Sequence, residues 1–399
     1  MRITTKTVMT MVIGITVALT ALDSAAQSTD PNASVNRPVS SQEVDRLRQA
    51  IYDESHSNVE GIFGYHRESG DLNNLVNFYR VGLRANLKLD SRRWLYASAV
   101  HTPYSLSDAI VKESGTNVTL GLRAPLLESV TTQVEVGATR FSNGGKTINA
   151  LGSIGLSSAS SALTLTASRA NVEESLLSAT GVRPVFGPFA GQTVGRVMDN
   201  RIVVDGSQRV LPRLDVFGSG GFGNRRGLNV DSNFFLLGGG GAGFNLISEA
   251  PEETVSLLRG SYEANYIGFA DDRFGFGGAS LTDSRGRDVP PARLGTDGIS
   301  PTPAAARAGV GGYFSPPNFF SHVIRGQMRG RPVAQVEYDV SGFVGSQYYT
   351  GSPRRQAIGF AATGALRLSD RYSVPVTVAR DNFGPFTQNS LLTRLVVRF

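Results

Sequence analysis

Cysteine is absent from the 399 residues. No disulfide can therefore stabilise the chain, and its stability must come from burial or from a closed ladder of backbone hydrogen bonds. Beyond the N-terminus no stretch reaches the ~18 consecutive apolar residues that a spanning helix needs. A later transmembrane helix is excluded. Histidine is scarce: His56, His66, His101 and His322 are scattered, without the spacing of metal ligands. No metal site is expected. A G-x-S-x-G nucleophile elbow is also missing. No catalytic residue is assigned, no cofactor is implied, and the chain is expected not to be an enzyme. A Ser–His pair set only by geometry on a wall of the fold stays open as an alternative.

What is present begins with an export signal. Arg2 and Lys6 precede an apolar run from Val8 to Leu22, and Ser24-Ala25-Ala26 supplies small residues for cleavage before Gln27. Residues 1–26 are read as a signal peptide. Residues 27–58 are a polar periplasmic lead-in with one short N-terminal helix: Ser40-Ser41-Gln42-Glu43 fits a capping box, and Val44, Leu47 and Ile51 follow on one face. Residues 59–399 form the remaining domain.

In that domain the period is two. Tyr79, Val81, Leu83, Ala85, Leu87 and Leu89 alternate with Arg80, Gly82, Arg84, Asn86 and Lys88. Val118, Leu120 and Leu122 alternate with Thr119, Gly121 and Arg123, and further runs surround Val134, Leu165 and Val340. Successive side chains of a strand face opposite sides. Charge at every second position is costly in a packed sandwich and costs little against water. The last residues alternate as well. Leu391, Thr393, Leu395, Val397 and Phe399 face one way, and Leu392, Arg394, Val396 and Arg398 the other. A final strand ending on Phe in an exported chain reads as the closing strand of a transmembrane antiparallel β-barrel of the outer-membrane type, an all-β fold. Its apolar face meets outer-membrane lipid, its arginines face a wet lumen, and Phe399 is the expected handle for barrel-assembly machinery.

The 46 glycines and 40% hydrophobic content suit many strands and turns. The net charge of +6 would fit nucleic acid in another setting, but here basic residues fall at lumen positions or in loops, and no nucleic-acid partner is expected. Ser142-Asn143-Gly144-Gly145, Gly351-Ser352-Pro353 and Ser369-Asp370 mark turns. Thr282–Ala308, with Pro290, Pro291, Pro301 and Pro303, is a surface or inward-folded loop. Gly218-Ser219-Gly220-Gly221-Phe222-Gly223 matches a dinucleotide fingerprint, but Asn224-Arg225-Arg226-Gly227 after it reads as a turn instead of a helix. These glycines, with Gly238–Gly241, are expected to serve bulges or close backbone approach.

Two blocks carry a family resemblance. Gly311-Gly312-Tyr313-Phe314-Ser315-Pro316 resembles the G-G-Y-F-S-P-Q signature of the C-terminal barrel domain of bacterial cellulose synthase operon protein C. Ser168-Arg169, Val172, Ser175-Leu176-Leu177-Ser178, Gly181 and Arg183 resemble a second block of that family, and Tyr65, Arg67, Ser69, Gly70 and Leu75 a weaker third. The resemblance implies a barrel of sixteen strands that exports an exopolysaccharide, cellulose or a related glucan, from periplasm to cell surface. A diffusion porin for small solutes is the alternative. The nascent polymer would pass Arg80, Arg84, Arg123, Arg169, Arg183, Tyr313, Phe314, Arg394 and Arg398. Tyr313 and Phe314 have a second reading, as part of an interfacial aromatic belt, and Arg169 and Arg183 as partners of Glu173 or Glu174. The family places tetratricopeptide repeats before its barrel and Gln where Pro317 stands. This chain has only about thirty residues before its barrel, so either a separate periplasmic repeat protein takes that role beside an inner-membrane synthase, or the barrel serves something else.

Overall fold

The computed structural model describes residues 56–70, 76–90, 92–106, 112–127, 129–158, 160–183, 189, 191–248, 254–271, 281–282, 288–289, 313–333, 335–369, 371–384 and 386–399. The signal peptide, the lead-in helix, Gly311, Gly312 and nearly all of Thr282–Ala308 lie outside these residues.

The barrel strands in chain order are β1 (Asn58–Gly70), β2 (Val76–Lys88), β3 (Trp94–Leu106), β4 (Lys112–Leu127), β5 (Val130–Phe141), β6 (Lys146–Ser157), β7 (Ser161–Asn171) and β8 (Gly195–Leu211). They continue as β9 (Leu214–Leu228), β10 (Val230–Ser248), β11 (Leu257–Phe269), β14 (Phe319–Val333), β15 (Val336–Tyr349), β16 (Arg355–Arg367), β17 (Tyr372–Phe383) and β18 (Phe386–Arg398). A two-stranded ladder, β12 (Leu281–Thr282) with β13 (Asp288–Val289), stands apart from the barrel. One short helix, α1 (Leu176–Ala179), lies between β7 and β8.

Each barrel strand pairs antiparallel with its neighbours, and β1 meets β18 from Asn58↔Arg398 to Gly70↔Phe386. The result is a closed barrel of sixteen strands with no free edge, so all the ladder hydrogen bonds are made within the wall. The alternation decides which face is which. Tyr79, Val81, Leu83, Val118, Leu120, Val134 and Val136 are exposed on the outside, whereas Arg80, Arg84, Thr119, Arg123 and Gln133 are buried on the inside. On β18, Leu395 is exposed outward, and Arg394 faces inward to Glu60 of β1 at 3.3 Å.

The two rims differ. One has short turns at 89–93, 128–129, 158–160 and 212–213. At the first of these, Asp90 Oδ1 accepts from the backbone N–H groups of Arg92 and Arg93, 2.8 Å each, and these bonds hold its carboxyl below the usual range. The opposite rim carries the long connections 172–194 and 270–318. Short periplasmic turns and longer extracellular loops are the rule for such barrels, so the second rim is extracellular.

Asn224-Arg225-Arg226-Gly227 is strand, not turn: β9 runs through it to Leu228, and the reversal falls at Asn229 with φ 51. The alternation of Phe222 outward with Arg225 inward continues the ladder against β8. The glycines do serve close approach. A Cβ at Gly221 would lie 2.4 Å from the Ile202 carbonyl, and one at Gly241 2.0 Å from that of Tyr262. The bulges of β10 lie elsewhere, between Val230 and Asn233 and between Asn245 and Ile247.

Candidate functional site: the extracellular mouth and the lumen

The connection after β7 turns into the barrel instead of away from it. Ser175 caps α1 and accepts from the Ser178 backbone N–H at 3.1 Å, while Ser178 Oγ accepts from the Ser175 N–H at 2.9 Å. This reciprocal cap lets so short a helix persist. It presents Leu176 and Ala179 to Phe78 of β2 and Tyr104 of β3, strands well away from β7 in the barrel order. Glu173, just before the cap, pairs with Arg80 of β2 and accepts from Tyr104 Oη at 2.5 Å. Gly181 (φ 77) and Gly195 (φ 96) occupy backbone conformations that favour glycine. A Cβ at Gly195 would lie 2.1 Å from the Leu177 carbonyl.

The segment before β14 meets this connection. Tyr313 and Phe314 are buried, at 0% and 5% exposure, in one apolar cluster with Val172, Leu177, Val194, Val197, Phe235, Phe269, Phe319 and Phe386. This placement overturns the aromatic-belt reading: both rings lie inside the mouth, and Phe314 packs edge-on against Phe319, Tyr349 and Phe386. Glu174 ties the parts together. It accepts from the Phe314 N–H and pairs with Arg225 Nη1 at 2.8 Å. Arg225, fully buried, also bonds Asp199 at 3.1 Å and stacks over Phe269 and Tyr313 at 5.1 and 4.9 Å. The two inward segments touch β2, β3, β8, β10, β11, β14 and β18, and so cross the opening from wall to wall.

Below this crossing the lumen is polar, and several of its arginines are held by carboxylates. Arg259 pairs with Asp215 at 2.5 Å, Arg325 with Glu263 at 3.0 Å and Arg329 with Asp339 at 3.0 Å. Amides, hydroxyls and a few rings fill the rest: Tyr96 Oη donates to Glu135 and accepts from Gln133 at 2.8 Å, and Asn117 bonds Thr139 at 2.9 Å. Arg84 stacks over Tyr96 at 5.0 Å and bonds Asn86 at 2.9 Å.

The residues expected along the path separate into groups. Arg80, Arg84, Arg123, Arg394 and Arg398 sit at inward positions. Ser175, Leu176, Leu177, Ser178, Tyr313, Phe314, Ser315 and Pro316 build the mouth, all of them buried. Arg169 does not face the lumen. It is exposed on the outer side of β7, where it donates to Asn200 Oδ1 at 2.8 Å. Arg183 is exposed at the rim beside Thr193. Neither takes Glu173 or Glu174, which Arg80 and Arg225 occupy. Arg225, Asp199 and Arg201 were not singled out by the sequence. Their one signal was inward parity on β8 and β9, which for Arg225 was hidden by the reading of 224–227 as a turn.

The open Ser–His alternative has a geometric counterpart on the outer wall, where Ser346 Oγ lies 2.7 Å from His322 Nε2. Arg354 Nη2 is 2.8 Å from the same nitrogen and its Nε 2.8 Å from Ser346 Oγ. The lone pair that a general base needs is thus already engaged by a cation.

Residues 83–278 match the family described as cellulose synthase operon protein C C-terminus. The match includes Ser175–Ser178, and Tyr313 onward lies beyond it. A structure titled a bacterial polysaccharide outer membrane secretin aligns with a TM-score of 0.56 at 10% identity, covering 86% of this chain and 98% of that one. The translocator domain of the autotransporter NalP from Neisseria meningitidis aligns at 0.33 and 9% identity, covering 90% and 96%. OccK5 of Pseudomonas aeruginosa aligns at 0.38 and 8%, covering 86% and 98%. No curated protein matches. The chain is a closed sixteen-stranded antiparallel β-barrel of the outer membrane.

Proposed function

We propose that this outer-membrane barrel, with the cellulose synthase operon protein C signature over residues 83–278, passes a nascent exopolysaccharide from periplasm to cell surface. The observation that carries this reading is a lumen wall of amides, hydroxyls and rings in which Arg259, Arg325 and Arg329 are each held by a carboxylate. A glucan is neutral, with apolar ring faces and many hydroxyls. A conduit for it needs exchangeable hydrogen-bonding groups and aromatic platforms that bind weakly enough to release. The Asn, Gln, Thr and Tyr groups of the wall supply these. The arginines Arg80, Arg84, Arg123, Arg394 and Arg398 are inward, and the carboxylates Glu173 and Glu60 hold Arg80 and Arg394. Export has no need of a reacting residue.

In this reading the segments that cross the mouth, with Tyr313 and Phe314 at their core, displace when polymer arrives. The cleaved signal delivers the chain to the periplasm, and Phe399 presents it for barrel assembly. A separate periplasmic repeat protein and an inner-membrane synthase feed the lumen.

The test is a clean deletion in a strain without a paralogue, with surface polymer measured by dye binding and glycan analysis. Loss of surface polymer, restored by the full chain, is expected. Normal polymer secretion would overturn the proposal, and uptake of small sugars that tracks expression would move the assignment to a diffusion porin.

A further inference from the structure

On the outer wall near the extracellular rim, cations stand without the carboxylates that match those of the lumen. Arg140 on β5 and Lys146 on β6 are direct cross-strand partners, and both are exposed. Their neighbours Thr139 and Thr147 are buried on the inner side, so both cations point outward. Side chains directly opposite in an antiparallel pair have Cβ atoms about 4.5–5.5 Å apart, and like charges there repel. Arg169 shares this outer face on β7, opposite Ala150 and thus four residues along β6 from Lys146 toward the periplasm. Its Nε donates to the carbonyl of Ile148, two residues along β6 from Lys146, and its Nη1 to Asn200. Asn200 donates in turn to Asn224 Oδ1 at 3.0 Å, which carries the polar row onto β9.

No described acid answers this charge. The carboxylates placed on β3 to β7 are Glu113 and Glu135. Both have inward parity: Glu135 accepts from Tyr96, and Glu113 accepts from Ser142. Immediately toward the periplasm the same outer face turns apolar, with Ile148 62% and Val136 55% exposed. The Arg140–Lys146 pair therefore lies where the lipid-facing band ends and headgroups begin, with Arg169 at the upper edge of the band. A cation is costly at the bilayer midplane and costs little near the interface, so this position is tolerated. Among the described residues no carboxylate stands on this outer face of β3 to β7, and an anion from outside the chain would stabilise the opposed pair.

We infer that Arg140, Lys146 and Arg169 form a binding site for the phosphate groups of an outer-leaflet glycolipid. The opposed Arg140–Lys146 pair takes one phosphate between its two heads. Arg169, steadied by Asn200 and the Ile148 carbonyl, takes a second, while the lipid's acyl chains lie along the apolar face below. The site faces away from the lumen and does not depend on the identity of the cargo.

The experiment is native mass spectrometry of the full-length barrel in detergent, titrated with bis-phosphorylated lipid A, dephosphorylated lipid A and inorganic phosphate. Wild type is expected to retain lipid A and to lose affinity by at least about tenfold when the phosphates are removed, since each basic residue near an anionic headgroup contributes on the order of 1 kcal/mol. The triple variant Arg140→Gln, Lys146→Gln, Arg169→Gln is expected to lose a similar factor, whereas Arg209→Gln with Arg213→Gln at the other rim retains full binding. Equal retention of phosphorylated and dephosphorylated lipid by wild type would overturn the proposal, and that arm needs no variant to fold. Binding of inorganic phosphate as tight as that of lipid A would also overturn it. So would an assembled triple variant, shown folded by its heat-modifiable gel mobility, that keeps wild-type affinity.

Discussion

Glu174 and Arg225 stand 2.8 Å apart, joined across 51 residues of sequence, and their contact holds the two inward segments of the mouth to the barrel wall. Glu174 belongs to the connection after β7, and its other oxygen accepts from the N–H of Phe314 in the segment before β14. Arg225 belongs to the wall. One carboxylate thus fastens both segments to one strand.

Removing either partner leaves a charge buried without its counterpart, which costs about 3–5 kcal/mol when a buried pair is broken. Arg225→Ala and Glu174→Ala should therefore loosen the mouth while the wall, held by its ladders, stays closed. Single-channel conductance in planar bilayers should rise above wild type, and cells should become more sensitive to large antibiotics. Unchanged conductance in a folded variant would show that the apolar cluster alone holds the segments.

The cap of α1 offers a milder change at the same place. Ser175→Ala removes a side-chain acceptor from the Ser178 N–H, a loss of about 1 kcal/mol for a helix N-cap. The expected result is faster amide exchange confined to 173–182, read by hydrogen–deuterium exchange, with the barrel strands unaffected. Uniform exchange across the barrel would contradict a local role for the cap.

Within the lumen, Gly121 gives the Tyr96 ring its place: a Cβ there would lie 2.1 Å from Tyr96 Cζ. Gly121→Val must push the ring off Gln133 and Glu135, and overpacking of this kind costs about 1–3 kcal/mol. A lower unfolding temperature in gel-shift assays is expected. Gly152→Ala, where an added Cβ meets nothing within 4 Å, serves as the control and should leave the temperature unchanged.

The outer face can be tested by charge. Leu83 is 61% exposed on the lipid side of β2, between the inward residues Gly82 and Arg84. Leu83→Arg should destabilise the barrel by about 2–4 kcal/mol if the position lies near the midplane. Arg84→Leu, on the lumen side, should cost less and alter conductance instead. Urea unfolding in lipid vesicles reports the first effect, and bilayer recordings the second. Equal costs on both faces would contradict the assignment of the faces.

The sequence by itself determined the barrel wall. A strand's side chains alternate whatever its neighbours are, so Tyr79 to Leu89 and Leu391 to Phe399 announced an apolar face and a polar face before any pairing was known. The turns at Gly144 and Gly351, with φ 85 and 83, were equally local, since few other residues adopt that conformation. The motif residues Ser175–Ser178 and Tyr313–Pro316 were legible as features, but not what they build. Only the closed sheet decided that Tyr313 and Phe314 lie inside the mouth instead of in a belt, that Arg169 faces outward, and that Arg225 receives Glu174. Burial in a mouth and pairing across it depend on which strands the closure brings to opposite sides of one opening. Alternation along a single strand carries parity and nothing about that distance.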